Sequence, residues 1–418
     1  MIRLDNPPAA APRGLCTDCG LSRTALAGAC GTACQFIRPD YPARERAVHG
    51  REAARGGDEG FFGVVLSMHR ATMTPPAEGA QWTGITTALA ARALRSGGVD
   101  AVLTMVADPD DRWRPVPALI TDPVDLAQAR GMRMGYAPLL ALLETAASAG
   151  HRRLAVVGIP CQVHALRAVE ARLGLEALVV IGTPCSDNTT TENFHRFLGR
   201  LTSRPEEVSY LEFRADYRVE LRFRDGAVRT IPFLKLPLSD LPDDFFPLTC
   251  RTCVDYANRL SDVTVGYMGG DGEQWLIVRN ERGRALVEGL EGLRLSPPTT
   301  RGRRGRAVAG FVANTEAAAG GLPVRRMPGW ARPLAAFLQP RIGPRGLEFA
   351  RARIEMKAVE SILHLRRRLP ARMRWMIPEH VWRQAEPYGL RSAEGERRHS
   401  SEAPCGTVNP EPPPPSGL

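Results

Sequence analysis

The chain is predicted to be an α/β protein with mixed sheets packed against helices, preceded by a small N-terminal cysteine segment. Three observations predict it. Leu154-Ala-Val-Val-Gly158 and Leu178-Val-Val-Ile-Gly182 are short apolar runs of the kind that form buried strands, and a helix-like stretch separates them. Tyr210-Leu-Glu-Phe-Arg214 and Glu220-Leu-Arg-Phe-Arg224 alternate polar and apolar residues, so the region from Val208 to Pro237 reads as half-buried β structure. Four of the nine cysteines fall between Cys16 and Cys34, ahead of both patterns.

Met1 to Arg13 is rich in Pro and Ala and has no apolar core, so no secretory signal is expected. No apolar run approaches the roughly 20 residues that cross a bilayer. A cytoplasmic, reducing location is the expectation, and there close cysteine spacing points to metal or redox chemistry rather than disulfides. Cys16-Thr-Asp-Cys19 and Cys30-Gly-Thr-Ala-Cys34 offer four thiolates, a set that suits a structural zinc or an iron–sulfur cluster. The charged stretch Arg44 to Gly60 reads as a link to the larger unit. Next comes the turn Gly79-Ala-Gln81-Trp82-Thr83-Gly84-Ile-Thr86-Thr87, opening a helix that runs to Arg95 and stops at Gly97-Gly98. Such a turn offers backbone amides and hydroxyls to a phosphate, or simply caps a helix. Val99 to Val106 reads as a strand.

Each apolar run of the first pattern is followed by Gly-x-Pro-Cys, ending at Cys161 and Cys185. Parallel strands joined by a helix would set both cysteines at the carboxyl edge of one sheet, where α/β proteins gather ligand sites. Cys250-Arg-Thr-Cys253 adds two more thiols, so four cysteines from three segments are expected to converge. The plainer alternative for a strand-end cysteine is a small buried apolar residue. Leu260 to Gly266 reads as a strand running into Gly266 and Gly269, suited to close approach by a flat ligand. Phe349 to Arg368 reads as an Arg-studded packing helix, and the polar, Pro-rich chain from Glu394 onward, with Cys405, as disordered. The eight histidines show no zinc-protease or triad-like spacing.

The net charge of +10 is uneven. Arg301 to Trp375 holds 17 Arg or Lys against four Glu, a local +13, which leaves −3 for the rest. A basic segment attracts an acidic protein, an anionic membrane surface at its periphery, or nucleic acid. No paired Cys/His finger spacing or aromatic RNA-binding motif is present, so nucleic acid is not expected.

Read in order, Gly79-Ala-Gln-Trp-Thr-Gly-Ile-Thr, Gly-x-Pro-Cys161-Gln-Val, Gly182-Thr-x-Cys185-x-Asp187-Asn188, Cys250-x-x-Cys253-x-Asp255-Tyr256, Asp262-x-x-x-Gly266-Tyr267-Met268-Gly269 and Val278-Arg-Asn-Glu-Arg-Gly283 resemble the family formed by the β subunits of deazaflavin-coenzyme-reducing hydrogenases. Within it the likeness is to the ferredoxin-dependent 8-vinyl reductases of (bacterio)chlorophyll synthesis and to 7-hydroxymethyl chlorophyll a reductase. The resemblance covers about residues 14 to 285. It implies FAD and two 4Fe-4S clusters, one on Cys161, Cys185, Cys250 and Cys253, the other on Cys16, Cys19, Cys30 and Cys34. Ser22 stands where relatives carry a cysteine, and Cys30 is expected to replace it. Gln81, Trp82, Thr83, Gly84, Thr86, Thr87, Asn188, Gly266 and Gly269 would lie near the flavin. Asp187, Asp255, Tyr256 and Tyr267 are candidate proton donors by location.

The implied function is reduction of the 8-vinyl group of a divinyl (proto)chlorophyllide, with reduced ferredoxin as donor and a tetrapyrrole as substrate. The alternatives are reduction of another tetrapyrrole substituent, as in 7-hydroxymethyl chlorophyll a reductase, or service as a deazaflavin-reducing electron-transfer subunit. The corresponding domains would be an iron–sulfur segment at 1–45, a flavin-binding α/β unit at 55–145, a second-cluster domain at 146–300, a basic helical extension at 301–393 and a disordered tail at 394–418.

Overall fold

The computed structural model describes residues 1–4, 16–214, 216–242, 244–266, 273–317 and 328–397. The chain is α/β with mixed sheets, as expected. Its centre is a nine-stranded sheet of β1 (Ile2–Arg3), β2 (Ser67–Met73), β3 (Ala101–Ala107), β4 (Pro115–Ile120), β5 (Arg153–Gly158), β6 (Ala177–Gly182), β10 (Val263–Gly266), β11 (Gln274–Val278) and β12 (Leu293–Ser296). The spatial order is β1-β4-β3-β5-β6-β10-β11-β2-β12. Neighbours run parallel from β3 through β5 and β6 to β10, and antiparallel elsewhere.

The two apolar runs form β5 and β6, paired in parallel with Gly158 opposite Gly182. Burial on both faces explains why these strands carry continuous apolar residues rather than an alternation. Side chains of successive strand residues point to opposite faces. Leu103, Leu154, Val156 and Val180 thus join one core with the helices Pro160–Val169 and Leu347–Arg368. Val102, Ala155 and Ile181 join a second core with the helices Ile85–Arg95 and Glu281–Val287. The alternating region becomes a separate antiparallel sheet of β7 (Val208–Phe213), β8 (Arg218–Phe223) and β9 (Val228–Pro232), packed on the helix Thr191–Leu201.

The stretch expected to be a link begins inside a helix, Tyr41–His49, capped by Asp40, whose carboxylate accepts from the Ala43 amide. Tyr41, Glu45 and Val48 are buried on it, and Glu45 pairs with the equally buried Arg259 at 2.9 Å. That charge has a partner over 200 residues away, which is why local composition misread the segment. The expected packing helix is present as Leu347–Arg368. Among the described residues no helix is long and apolar enough to cross a membrane. Residues 398–418, with Cys405, lie outside the described residues, as do Tyr267, Met268 and Gly269.

Candidate functional site

Three turns meet beyond the carboxyl ends of β5 and β6. In the first, Pro160 takes the first helical position, where its missing N–H costs nothing, and Cys161 follows at the helix start. The second leaves β6 through Thr183 and Pro184 to Cys185. The third is the short helix Leu248–Arg251, which carries Cys250 and leads to Cys253. The four cysteines line one cavity with Thr17, Gln35, Tyr136, Asp187 and Asn188. Its interior is about 20 Å³, room for roughly one water.

Asn258 joins the first two turns: its Nδ2 donates to the carbonyls of Gly158, at 2.8 Å, and Thr183, at 3.2 Å. Gly266, the last residue of β10, lies against the second turn. A Cβ there would come within 2.3 Å of Pro184 Cδ, so only glycine fits. Two further side chains bind the third turn. The Tyr136 hydroxyl lies 3.7 Å from Cys250 Sγ and donates to the Asn188 carbonyl at 2.9 Å. Gln35 Nε2 donates to Cys253 Sγ at 3.5 Å, and that thiol is 3.6 Å from the Asp255 carbonyl.

Burial governs the thiols. It pushes Cys253 up to about 12 and holds Cys161 and Cys185 well above the ordinary thiol range, with neighbouring cysteines adding to the effect. In the N-terminal segment burial raises Cys19 to about 12 and Cys34 to about 11, opposed by backbone amides and reinforced by the other cysteines of the group. Cys16 is exposed, and Cys30 is half-buried.

The 4Fe-4S expectation is corrected on this geometry. Among the described residues no group of three or more His, Cys, Asp or Glu side chains is gathered closely enough to hold a metal ion. The Cys250 and Cys253 thiols meet Tyr136 and Gln35, and neither four-cysteine set is gathered closely enough for a cluster. The N-terminal segment is therefore not shown to be an iron–sulfur segment, and Cys30 is not placed as a replacement ligand for Ser22.

The FAD expectation is corrected too: the turn assigned to it spends most of its side-chain donors on protein, while Gln81 Oε1 is buried with no hydrogen-bond partner. Thr83 Oγ1 accepts from the Met73 amide at 3.1 Å and donates to Gln274 Oε1 at 3.1 Å. Gln81 Nε2 donates to the Leu211 carbonyl at 3.2 Å, and the Trp82 indole N–H donates to Glu212. The turn thereby ties the small sheet to the large one, with Gly79, Trp82 and Gly84 in the left-handed region. Thr86 and Thr87 fall in the first turn of the helix Ile85–Arg95. Asn188 Nδ2 donates to the Gly135 carbonyl at 2.8 Å.

The candidate proton donors separate. Among the described residues, Asp187 is the one carboxylate lining the cavity. Asp255 is buried away from it, its Oδ2 accepting from the Arg259 amide at 3.0 Å and its Oδ1 without a hydrogen-bond partner. Burial raises the Asp255 carboxyl. Tyr256 lies in a separate apolar cluster with Phe62 and Trp275.

The residue that sequence reasoning missed is Lys357. Its Nζ donates to Asp187 Oδ1 at 2.8 Å and to the Cys250 carbonyl at 2.5 Å. The available signal was rarity: Lys357 and Lys235 are the two lysines among 55 basic residues.

Residues 68–144 match the N-terminal part, and residues 151–295 the C-terminal part, of the coenzyme F420 hydrogenase/dehydrogenase β subunit. The chain is 40% identical over 367 residues to the chloroplastic 7-hydroxymethyl chlorophyll a reductase of Oryza sativa, covering 84% of this chain and 78% of that one. It is 25% identical over 226 residues to the β subunit of the coenzyme F420 hydrogenase of Methanococcus voltae, covering 52% of this chain and 78% of the relative. A chain in the F420-reducing [NiFe] hydrogenase complex of Methanosarcina barkeri shares the fold, with a TM-score of 0.51 at 22% identity over 57% of this chain and 84% of that one. The family segments and several relatives are named for coenzyme F420. They overturn the expectation of reduced ferredoxin and a tetrapyrrole as partners, and with it the assignment to chlorophyll synthesis and photosynthesis.

Proposed function

This chain belongs to the family of coenzyme F420 hydrogenase/dehydrogenase β subunits, and from that membership we propose that it is an oxidoreductase subunit that exchanges reducing equivalents with a deazaflavin coenzyme. One observation carries the reading. The two family segments occur in order, and between them they span nearly all of the central sheet, with the cavity at its carboxyl edge. A deazaflavin carries electrons in pairs, as hydride, so the partner for that exchange would be another redox component of the hydrogenase or dehydrogenase kind.

The chain's own contribution is a rigid, water-poor edge. Asn258 fixes the two Gly-x-Pro-Cys turns, Gly266 keeps the second turn close to β10, and Asp187 is the acidic group available there. Rigid strand ends hold a ligand more precisely than loops do. The test is a fluorescence titration of oxidised coenzyme F420 with the purified protein. Saturable quenching supports the reading, and an unchanged signal at excess protein removes it.

A second reading is favoured by the length of the match to the rice relative, which extends over 84% of this chain. On that reading the chain is a self-contained reductase rather than one component of a complex. A negative titration would favour it.

A further inference from the structure

The helix Leu347–Arg368 lies beyond both family segments, yet it contacts two residues that line the cavity, Asp187 and Cys250. Lys357, Glu360, Ser361 and His364 recur at i, i+3, i+4 and i+7 and so share one face of it. Lys357 is 3% exposed and meets three acceptors: Asp187 Oδ1 at 2.8 Å, the Cys250 carbonyl at 2.5 Å and Glu360 Oε2 at 3.4 Å. One turn on, Ser361 Oγ donates to the Thr252 carbonyl at 3.1 Å. Glu360 is also 3.7 Å from His364 Nε2. The helix therefore grips the Cys185–Asn188 turn through Asp187 and the Leu248–Cys253 turn through two carbonyls.

The residue type matches the task. An ammonium is a compact charge with three donors, one for each acceptor here, whereas a guanidinium presents a flat fork. In a chain where arginine supplies all but two of 55 basic residues, lysine stands at this point.

We propose that Lys357 is a positioning residue: it locks Asp187 and the Cys250 turn together at the cavity, so that the helix outside the family segments completes the site. The kinetic part of this proposal rests on the deazaflavin reading; the structural part does not.

The test compares the full-length protein with its Lys357→Met, Lys357→Arg and Asp187→Ala variants by amide hydrogen exchange and by steady-state oxidation of reduced coenzyme F420 with an artificial acceptor. Lys357→Met is expected to speed exchange at least about tenfold in residues 183–189 and 248–256 while leaving residues 154–158 unchanged. Lys357→Arg is expected not to restore protection. Asp187→Ala, which removes the acceptor that asparagine would keep, is expected to loosen 183–189 alone, because the Cys250 carbonyl keeps its donor; it serves if Lys357→Met does not fold. Turnover is expected to fall about tenfold or more with KM within about threefold, since misplacement by ~1 Å costs up to ~100-fold. Unchanged protection in Lys357→Met or, if that variant does not fold, in residues 183–189 of Asp187→Ala overturns the proposal; so does full rescue by arginine, or a loss expressed only in KM. If exchange changes as expected but the wild-type protein oxidises no deazaflavin, the proposed function falls and the positioning role stands.

Discussion

Asn258 Nδ2 lies 2.8 Å from the carbonyl oxygen of Gly158, and the same amide reaches the Thr183 carbonyl at 3.2 Å. One side chain from the loop after Cys253 thus binds the exits of two adjacent parallel strands. Its backbone sits in the left-handed region, φ 57°, which asparagine tolerates better than most residues. Asn258 is fully buried, so no water can replace the bonds it makes.

Asn258→Ala takes a donor from the half-buried Thr183 carbonyl, while the Gly158 carbonyl keeps the Thr183 amide at 3.0 Å, and it places alanine at an unfavourable φ. A loss of about 1–3 kcal/mol is expected, the cost of one unsatisfied group. Urea denaturation measures it as a lower midpoint. Asn258→Gly should relieve the backbone without restoring the bonds, and so recover only a small part.

Arg167 and Asp262, both 0% exposed, pair at 2.8 Å, and the Asp262 carboxylate also accepts from the Val180 amide and the Asn280 side chain. Burial works against the charged carboxylate, but Arg167, Arg282 and Asn280 outweigh it and hold the group below its ordinary value. The stability it contributes is thus present above the unfolded carboxylate range, near pH 4, and is lost as pH falls through the folded value. Arg167→Met leaves the charge to Arg282, 2.8 Å from Asp262 Oδ1, and should cost less than the ~3–5 kcal/mol of a fully unpaired buried charge. Chemical denaturation at neutral pH checks the cost, and acid titration of Asp262→Asn should lack this part of the acid loss.

His164 is fully buried, its Nδ1 against the Ala33 carbonyl at 2.9 Å and its ring edge-on to Tyr41. Burial lowers its pKa to about 4, and His49 falls to about 4 for the same reason. The sign is the same as for Asp262, because the folded value again lies below the unfolded one. Between about pH 6.5 and pH 4 the unfolded chain takes up protons that the native one refuses, so stability falls with pH there and is flat above. Each histidine contributes a slope of about 1.4 kcal/mol per pH unit. Denaturation midpoints of His164→Asn across this range should show a shallower slope than wild type.

The local pattern was legible wherever one segment carried its own reason. The strands β5 and β6, their Gly-x-Pro-Cys turns and the helix between them follow from a run of apolar residues, a glycine and a proline, all within 32 residues. The meeting of Cys161 and Cys185 was legible for the same reason, and Cys250 and Cys253 join them from a separate segment. The illegible parts depend on partners far along the chain. β2 pairs with β11 across some 200 residues, Glu45 on the helix Tyr41–His49 is buried against Arg259, and Lys357 reaches Asp187 from a helix that looked like packing material. The cluster expectation came from cysteine spacing as well as resemblance, and among the described residues no group of three or more such side chains is gathered closely enough for a metal. The flavin expectation came from resemblance, and Thr83 is taken by Gln274.

The deazaflavin reading is tested most directly by anaerobic oxidation of reduced coenzyme F420 by the purified protein with an artificial electron acceptor, followed by the return of deazaflavin absorbance. Protein-dependent, saturable oxidation that is weakened in Lys357→Met is the expected result. No oxidation above the protein-free rate, at any coenzyme concentration and with the protein folded, would contradict it.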